Sequence, residues 1–330
     1  MAKKRLLIST LVLVAALLGF NWFIGRTART WPRILLREVA GARSVGTLLL
    51  GNSLMASGFD ETAFREASQA PKDPAPILNA ACGATLPAEH LQFYEVAKKG
   101  SPRIPVIIYG YLFDQLTAPT DAGWRELSGN RAMFYYADFE LGLSLYHPKN
   151  AIEILQFRAT RHLPVVYERL NIWRRVELLR RKFDRWGLPD EGTTRFGRAA
   201  DFAGGAFQPK DSAAFSEACR KAVRERAPLS VPVKAIMSQA RAAGSRVIVI
   251  EMPLPLARRL FFGSDGVWQP YREHVRDLIK GEGGTCIDAL DWYSDDARYF
   301  ADDLHLNPMG AADFSRRLAP LVAGVKPDWK

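Results

Sequence analysis

Only three cysteines occur among the 330 residues, so a disulfide framework is excluded, and no Cys-x-x-Cys pair suggests a zinc site. The sequence also lacks internal repeats, low-complexity tracts and recognised nucleic-acid-binding motifs. Apolar residues make up 48% and charged residues 24%, a balance that excludes a disordered, collagen-like or largely intramembrane chain. The length fits two domains or one enlarged α/β domain.

One long apolar run lies at the N-terminus. Lys3 to Arg5 are basic, and residues 6–25 that follow hold no charged side chain. At about 1.5 Å per residue, a helix over this run spans roughly the 30 Å hydrocarbon core of a bilayer. A cleaved signal peptide is the alternative, but it needs a shorter apolar region and a small-x-small cleavage site, which Ala15-Ala16 does not provide. We therefore predict one uncleaved transmembrane anchor, because no later run reaches that length.

The positive charge is concentrated in two places. Lys and Arg total 45 against 35 Asp and Glu, a formal net charge of +10. Residues 1–37 hold seven basic and no acidic side chains, and residues 158–185 hold nine basic and three acidic ones. The second stretch predicts either a solvated face of an amphipathic helix or a contact with anionic lipid or polymer. The cluster before the apolar run favours a cytoplasmic N-terminus, although four arginines after the run nearly balance it.

Short apolar runs alternate with helical patterns from residue 45 onward. Strands are predicted over 45–50, 77–82, 105–111, 246–251 and 285–288. Helices are predicted over 87–99, 231–243, 269–280 and 308–322. This alternation is typical of βαβ units, because strands buried on both faces read as continuous apolar runs. We predict an α/β fold of three layers, with a parallel sheet flanked by helices.

A stretch without strands interrupts this alternation. Residues from about 117 to 230 are rich in aromatic residues and Arg, and we predict a mainly helical insertion there. The insertion could cover the carboxyl edge of the sheet or form a small semi-independent domain. The predicted organisation is an anchor and juxtamembrane segment over 1–37, followed by one α/β domain over 38–330 that contains the insertion.

Two segments place reactive side chains next to predicted strands and helices. Ser53 follows the first strand at a turn into a helix, where a serine hydroxyl projects and backbone N–H groups can face an oxyanion. Asp302 precedes His305 by three residues, so one loop can carry both, and the carboxylate can hold the imidazole tautomer that accepts the serine proton. Together they predict a Ser-His-Asp triad. A metal site on the same loop is the weaker alternative, because a second His or a Cys at ligand spacing is missing.

At this point the chain resembles the SGNH/GDSL-type hydrolase superfamily. Gly51-Asn52-Ser53 follows the first strand, Gly83 the second, and Asp302-x-x-His305 precedes the last helix. The order of strands, motifs and helices agrees over residues 44–112 and 231–325. The resemblance implies a flavodoxin-like sheet, a Ser53–His305–Asp302 triad, an oxyanion hole made by the N–H groups of Ser53 and Gly83, and no metal or organic cofactor.

Within the superfamily, the N-terminal apolar run and the Asp-x-Leu-His-Leu-Asn-x-x-Gly sequence look most like membrane-anchored proteins of bacterial cell-surface polymer modification. The alginate O-acetylation proteins and the D-alanyl-lipoteichoic-acid accessory protein are examples. The resemblance implies an esterase or O-acyltransferase, with acetyl as the expected group, acting on an envelope polysaccharide or polymer. Its body would face the periplasm from the bacterial inner membrane, with an integral-membrane acyl donor protein as a partner. No nucleic-acid partner is expected.

Two positions depart from the family pattern. Asn52 stands where the first block usually has Asp. Leu112 stands where the third block usually has an Asn that donates to the oxyanion, and losing one such donor costs about 10²–10³ in rate. Another side chain could substitute, with Tyr109 and Tyr111 as candidates, or turnover could be slow. The alternative is a non-catalytic SGNH-like protein that binds a surface polymer or scaffolds an envelope complex.

Four further side chains are candidates for lining the site: Asn52, Cys82, Tyr111 and Glu251. For Cys82 the alternative is a small buried residue, and for Glu251 it is a capping or salt-bridge role. The other histidines are scattered and receive no predicted role: His90, His147, His162 and His274.

Overall fold

A computed structural model of the chain describes residues 2–27, 31–68, 75–83, 85–111, 116–117, 135, 137–146, 150–169, 172, 209–263, 266–293 and 296–324. The chain divides into two compact units, Met1–Ile34 with Asn130–Asp190, and Leu35–Gly129 with Glu191–Lys330. The second unit contains the sheet, and the first contains the N-terminal helix.

The sheet has five strands, all of them parallel. They are β1 (Thr47–Gly51), β2 (Ile77–Asn79), β3 (Val106–Tyr111), β4 (Arg246–Glu251) and β5 (Thr285–Asp288). Their order across the sheet is β2-β1-β3-β4-β5. This is the order of flavodoxin-like doubly wound sheets, in which the crevice for a ligand opens at the carboxyl ends of β1 and β3. The predicted parallel α/β sheet is confirmed.

The helices are numbered in chain order: α1 (Ala2–Thr27), α2 (Trp31–Gly41), α3 (Ser53–Gly58), α4 (Glu61–Ala67), α5 (Pro87–Gly100), α6 (Phe139–Tyr146), α7 (Ala151–Arg161), α8 (Pro164–Tyr167), α9 (Pro209–Arg224), α10 (Val231–Ala242), α11 (Leu256–Gly263), α12 (Trp268–Gly281) and α13 (Pro308–Gly324). The four helices predicted in the α/β part correspond to α5, α10, α12 and α13, each with ends within two residues of the prediction.

The core lies in and around the central strands. The middle residues of β1 and β3 are completely buried, as expected for strands covered on both faces. α5 and α10 pack against each other and against strands, while α3 contacts β1 and β3 and packs against the C-terminal α13. The backbone N–H of Asp60, between α3 and α4, donates to the Ser315 hydroxyl of α13 at 2.8 Å. These contacts bring the end of β1 close to the start of the last helix.

The second strand is shorter than predicted. The sequence indicated residues 77–82, but β2 ends at Asn79. The side chain of Asn79 accepts the backbone N–H of Ala81 at 3.0 Å, which turns the chain out of the strand. The backbone N–H of Cys82 then donates to the Gly51 carbonyl at 3.0 Å, so this turn stays attached to the end of β1.

The first unit contains the candidate membrane span. Residues Lys3–Thr27 form a helix long and apolar enough to cross a membrane, and its apolar side chains are exposed. It is the one such helix within the described ranges.

The predicted insertion is mainly helical where the structure describes it. α6 to α8 belong to the unit of the N-terminal helix, whereas α9 belongs to the sheet unit. Thr117 and Leu229, near the two predicted ends of the insertion, form an isolated antiparallel bridge. Most of the basic stretch 158–185 lies outside the described residues, as residues 170, 171 and 173–185 are not among them.

Candidate active site

The turn after β1 presents Ser53 at the beginning of a helix. Gly51 has φ +147°, and a Cβ at this position would lie 2.6 Å from the Gly110 carbonyl oxygen of β3, so only glycine fits. Asn52 caps α3, because its side chain accepts the Leu54 N–H at 2.9 Å. Ser53 is the first residue of α3, directly beyond the end of β1. The sheet therefore fixes the serine on a short and constrained turn.

Ser53, His305 and Asp302 form one hydrogen-bonded line. The Nε2 atom of His305 lies 2.8 Å from the Ser53 Oγ, and its Nδ1 atom lies 2.7 Å from the Asp302 Oδ2. The second carboxylate oxygen of Asp302 accepts the backbone N–H groups of Leu304 and His305, at 2.8 and 2.6 Å. The carboxylate thus fixes both the ring and the backbone of the histidine loop. The structure brings together all three residues that the sequence predicted as a triad.

Hydrogen bonds within the triad loop keep the Asp302 carboxylate ionised. Burial alone would raise the pKa of Asp302, but hydrogen bonds from the His305 ring and from the backbone of His305 and Leu304 outweigh it. The pKa of Asp302 therefore lies below its ordinary value. An ionised Asp302 accepts the Nδ1–H of His305 and leaves Nε2 as the acceptor for the serine proton.

The loop that carries Asp302 and His305 is held at both ends. Ala301 donates to the His305 carbonyl at 2.7 Å, and Phe300 and Leu306 form an antiparallel bridge. Asn307 is 4% exposed, and its side chain accepts the Gly310 N–H at 2.9 Å at the start of α13. Asn307 belongs to the sequence motif, but its supporting role becomes apparent only from these contacts.

The predicted oxyanion donors lie on neighbouring turns. Gly83 follows β2, and a Cβ built on it would lie 3.7 Å from the Ser53 Cβ. Gly83 therefore faces the serine without a side chain in between. The hydrogen bond from Cys82 N–H to the Gly51 carbonyl joins the two turns. The backbone of Ser53 and the backbone of Gly83 are thus close enough to flank one oxygen of a bound ester.

The four predicted lining residues have other partners. Asn52 is buried and caps α3, and Cys82 is 1% exposed and joins the two turns through its backbone. Glu251 is 2% exposed, and its carboxylate binds Arg272 at 2.7 Å and Arg276 at 3.2 Å. For Cys82 and Glu251, these contacts correspond to the structural alternatives that the sequence left open.

Tyr111 lies beside this ion-pair cluster. It pairs with Glu251 across β3 and β4, and it is almost completely buried. Burial raises the pKa of Tyr111 well above its ordinary value, and the Glu251 charge adds to the effect. The hydroxyl is therefore neutral. Leu112, which stands at the place of the family's third-block Asn, lies outside the described residues.

Sequence reasoning missed the charged partner of the histidine loop. The Arg258 side chain of α11 forms an ion pair with Asp303, and its Nε donates to the Asp303 carbonyl at 3.3 Å. Asp303 directly follows the triad carboxylate Asp302. No local sequence pattern indicates this pair, because 45 positions separate the two residues.

No family model matches the chain, and no curated protein matches it either. Within the described residues, no group of three or more His, Cys, Asp and Glu side chains could hold a metal ion.

Proposed function

We propose that the protein is a membrane-anchored serine esterase or O-acyltransferase of the SGNH type. The observation that carries the proposal is the Ser53–His305–Asp302 line, with contacts of 2.8 and 2.7 Å. A nucleophile, a general base and an orienting carboxylate need contacts of this length. The place of Ser53, beyond β1 at the crevice of a doubly wound sheet, is where such folds bind ligands.

The geometry supports a two-step acyl transfer. As the Ser53 Oγ bonds to the ester carbonyl carbon, its proton passes to His305 Nε2 and the carbonyl electron pair moves onto oxygen. The N–H groups of Ser53 and Gly83 stabilise that oxyanion. Collapse expels the alcohol, which takes the proton from His305 and leaves an acyl-serine. A water molecule or an acceptor hydroxyl then gives its proton to His305 as it bonds to the acyl carbon. The bond between the acyl carbon and the Ser53 Oγ breaks, and His305 returns the proton to Ser53.

The proposed setting is the envelope of a bacterial cell. The apolar α1 supports membrane anchoring, and the resemblance to envelope-modifying SGNH proteins suggests a polysaccharide or polymer ester as the substrate. An acetyl group is the proposed acyl group, and an integral-membrane acyl donor is the proposed partner. The body would lie on the periplasmic side of the inner membrane.

A covalent probe tests the proposal directly. The full-length protein in detergent is treated with a fluorophosphonate probe, and hydrolysis of a small aryl acetate is measured in parallel. We expect labelling and hydrolysis that disappear in Ser53→Ala. Ser57→Ala is the matched control, because this serine lies in the same helix and donates only to the Leu54 carbonyl of that helix. Labelling that survives Ser53→Ala, or a native protein with neither labelling nor hydrolysis, would favour the non-catalytic polymer-binding alternative.

A further inference from the structure

The junction of α7 and α8 is attached to the membrane helix α1. The Asn21 side chain donates to the His162 carbonyl at 3.0 Å and accepts the Val165 N–H at 3.2 Å. One helical turn later, a Cβ on Gly25 would lie 2.9 Å from the Pro164 Cγ, so the backbone of α1 touches the start of α8. These contacts lie within one compact unit and fix the depth of the junction along α1.

That depth corresponds to a membrane boundary. Asn21 precedes the end of the apolar run at Gly25 by four residues, or about 6 Å along a helix. If α1 crosses a bilayer, the junction lies where the acyl chains meet the headgroups. Interfacial helices insert their apolar face to about this depth, 5–10 Å. Both hydrogen bonds of the Asn21 amide also reduce the cost of placing it in apolar surroundings.

α7 exposes two large apolar side chains. Ile152 and Leu155 lie one turn apart, and they are 69% and 68% exposed. Leu163 and Val166, at the junction and in α8, are exposed as well. In a surface helix whose outer face contacts only water, such apolar residues would point toward the core. Near the end of α7, Arg158 forms an ion pair with Glu140 at 3.3 Å, whereas Arg161 lies over the Phe139 ring and supplies positive charge next to these side chains.

We propose that α7 and α8 form a second membrane contact, lying in the lipid interface beside α1 with their apolar side chains among the acyl chains. The proposal rests on α1 being the membrane anchor of the proposed function. Continuity with α1 favours a bilayer over a protein partner, and the positive charge of Arg161 favours anionic lipid. A single span can rotate about its axis, and this second contact would fix its rotation.

Fluorescence quenching in nanodiscs of zwitterionic and anionic phospholipid tests the contact. The full chain carries Cys286→Ser, which removes the partly exposed cysteine and leaves only the two buried ones. Bimane is then attached to a cysteine introduced as Ile152→Cys or Leu155→Cys. Leu13→Cys on α1 is the membrane reference, and Lys234→Cys, at a side chain 62% exposed, is the aqueous reference. We expect lipids with a nitroxide near the headgroup end to cause about a two-fold loss of fluorescence at positions 152 and 155, with iodide having little effect.

The references separate the two possible failures. In the first case, the nitroxide lipid quenches the bimane at position 13, but iodide quenches the bimane at positions 152 and 155 as strongly as at position 234. The interfacial contact is then wrong, whereas the membrane anchor is confirmed. If position 13 is also quenched by iodide alone, the anchor itself is wrong and the interfacial contact is wrong with it.

A second, independent observation concerns a buried hydrogen-bond chain behind Gly83. The Tyr109 hydroxyl of β3 lies 2.6 Å from the His90 Nδ1 of α5, and the His90 Nε2 lies 2.9 Å from the Thr85 Oγ1. The Thr85 hydroxyl also contacts the Cys82 carbonyl oxygen. All three side chains are at most 3% exposed.

The contact lengths favour one arrangement of the protons in this hydrogen-bond chain. Thr85 has a single O–H, and its nearest acceptor is the Cys82 carbonyl, since the Gly51 carbonyl lies farther away, at 3.4 Å. His90 Nε2–H therefore donates to Thr85, and the Tyr109 O–H donates to Nδ1. Burial lowers the pKa of His90 to about 3, so the ring is neutral at working pH.

This hydrogen-bond chain fixes the orientation of the peptide bond between Cys82 and Gly83. In a planar trans peptide the C=O and the N–H point in opposite directions, so fixing the Cys82 carbonyl toward Thr85 directs the Gly83 N–H the other way. We infer that Thr85, supported by His90 and Tyr109, is a positioning residue that sets the direction of this N–H for the oxyanion of the proposed reaction. This inference rests on the proposed function.

Two substitutions at one position test it. Thr85→Val keeps the shape but removes the hydroxyl, and Thr85→Ser keeps the hydroxyl. For aryl acetate hydrolysis we expect Thr85→Val to lower kcat about 10- to 100-fold with KM unchanged, and Thr85→Ser to restore kcat. An unchanged kcat in Thr85→Val, or an equal loss in both variants, would overturn the positioning role. Failure of the proposed function would appear separately, as a native protein that is not labelled by the fluorophosphonate.

Discussion

The Nε2 atom of His305 lies 2.8 Å from the Ser53 hydroxyl oxygen, although 252 positions separate the two residues in the chain. The contact depends on the packing of α3 against α13, which follows the histidine loop. The hydrogen bond from Asp60 N–H to the Ser315 hydroxyl fixes the neighbouring α4 to the same helix. The candidate nucleophile and base are therefore held by core helices, and not by the loop alone.

Replacing the orienting carboxylate should impair catalysis more than folding. In Asp302→Asn, the amide oxygen can still accept the backbone N–H groups of Leu304 and His305, while the NH₂ group faces His305 Nδ1 and favours the wrong tautomer. We expect kcat for aryl acetate hydrolysis to fall about 10³–10⁴-fold. Asp303→Asn is the neighbouring control, because Asp303 pairs with Arg258, and its effect should be much smaller. Equal losses in both variants would contradict a specific role for Asp302.

The cap of α3 should affect both stability and activity. Asn52→Ala removes the side chain that accepts the Leu54 N–H, so we expect a loss of about 1 kcal/mol in the free energy of unfolding. Because the cap adjoins Ser53, activity should fall as well. Asn52→Asp keeps the acceptor and adds a charge favourable at a helix N-terminus, so stability and activity should be retained. Chemical unfolding and ester hydrolysis measure the two effects, and an Asp variant as impaired as the Ala variant would refute the capping argument.

Glu251 should matter for stability and not for chemistry. Glu251→Gln removes the buried charge that pairs with Arg272 and Arg276, and we expect a loss of about 3 kcal/mol in the free energy of unfolding. Asp288→Asn is the control, since this partner of the same arginines is 43% exposed and should cost less. For aryl acetate hydrolysis, kcat calculated per fluorophosphonate-reactive site should be unchanged in both folded variants. A specific loss of kcat in Glu251→Gln would instead place this residue in the reaction.

His90 should make the sheet unit sensitive to acid. Its pKa is lowered by burial from 6.5 to about 3, so between these values the unfolded chain binds a proton that the folded chain does not. The free energy of unfolding therefore decreases as the pH falls through this window, by up to about 1.4 kcal/mol per pH unit. Urea unfolding at several pH values should show a shallower dependence in His90→Gln. Parallel pH curves for the native protein and the variant would contradict the prediction.

The sequence by itself determined the strands of the sheet, four of the helices and the candidate triad. The apolar runs of β1, β3 and β4 and the helix of α5 followed from local patterns, since burial on both faces leaves an uninterrupted run. β2 was predicted too long, because the Asn79 side chain turns the chain out of the sheet. Local patterns also identified the triad residues, because Ser53 directly follows a predicted strand, and Asp302 and His305 directly precede a predicted helix.

Tertiary structure decided which partner each buried polar group has. For Glu251 the sequence left open a place in the site or a salt-bridge role, and α12 brings Arg272 and Arg276 to its carboxylate. His90 received no role from the sequence, yet β3 and the turn after β2 place Tyr109 and Thr85 on its two nitrogens. Apolar periodicity is local and specifies an element. The partner of a buried polar side chain depends on which elements pack together, and contacts between distant residues decide that.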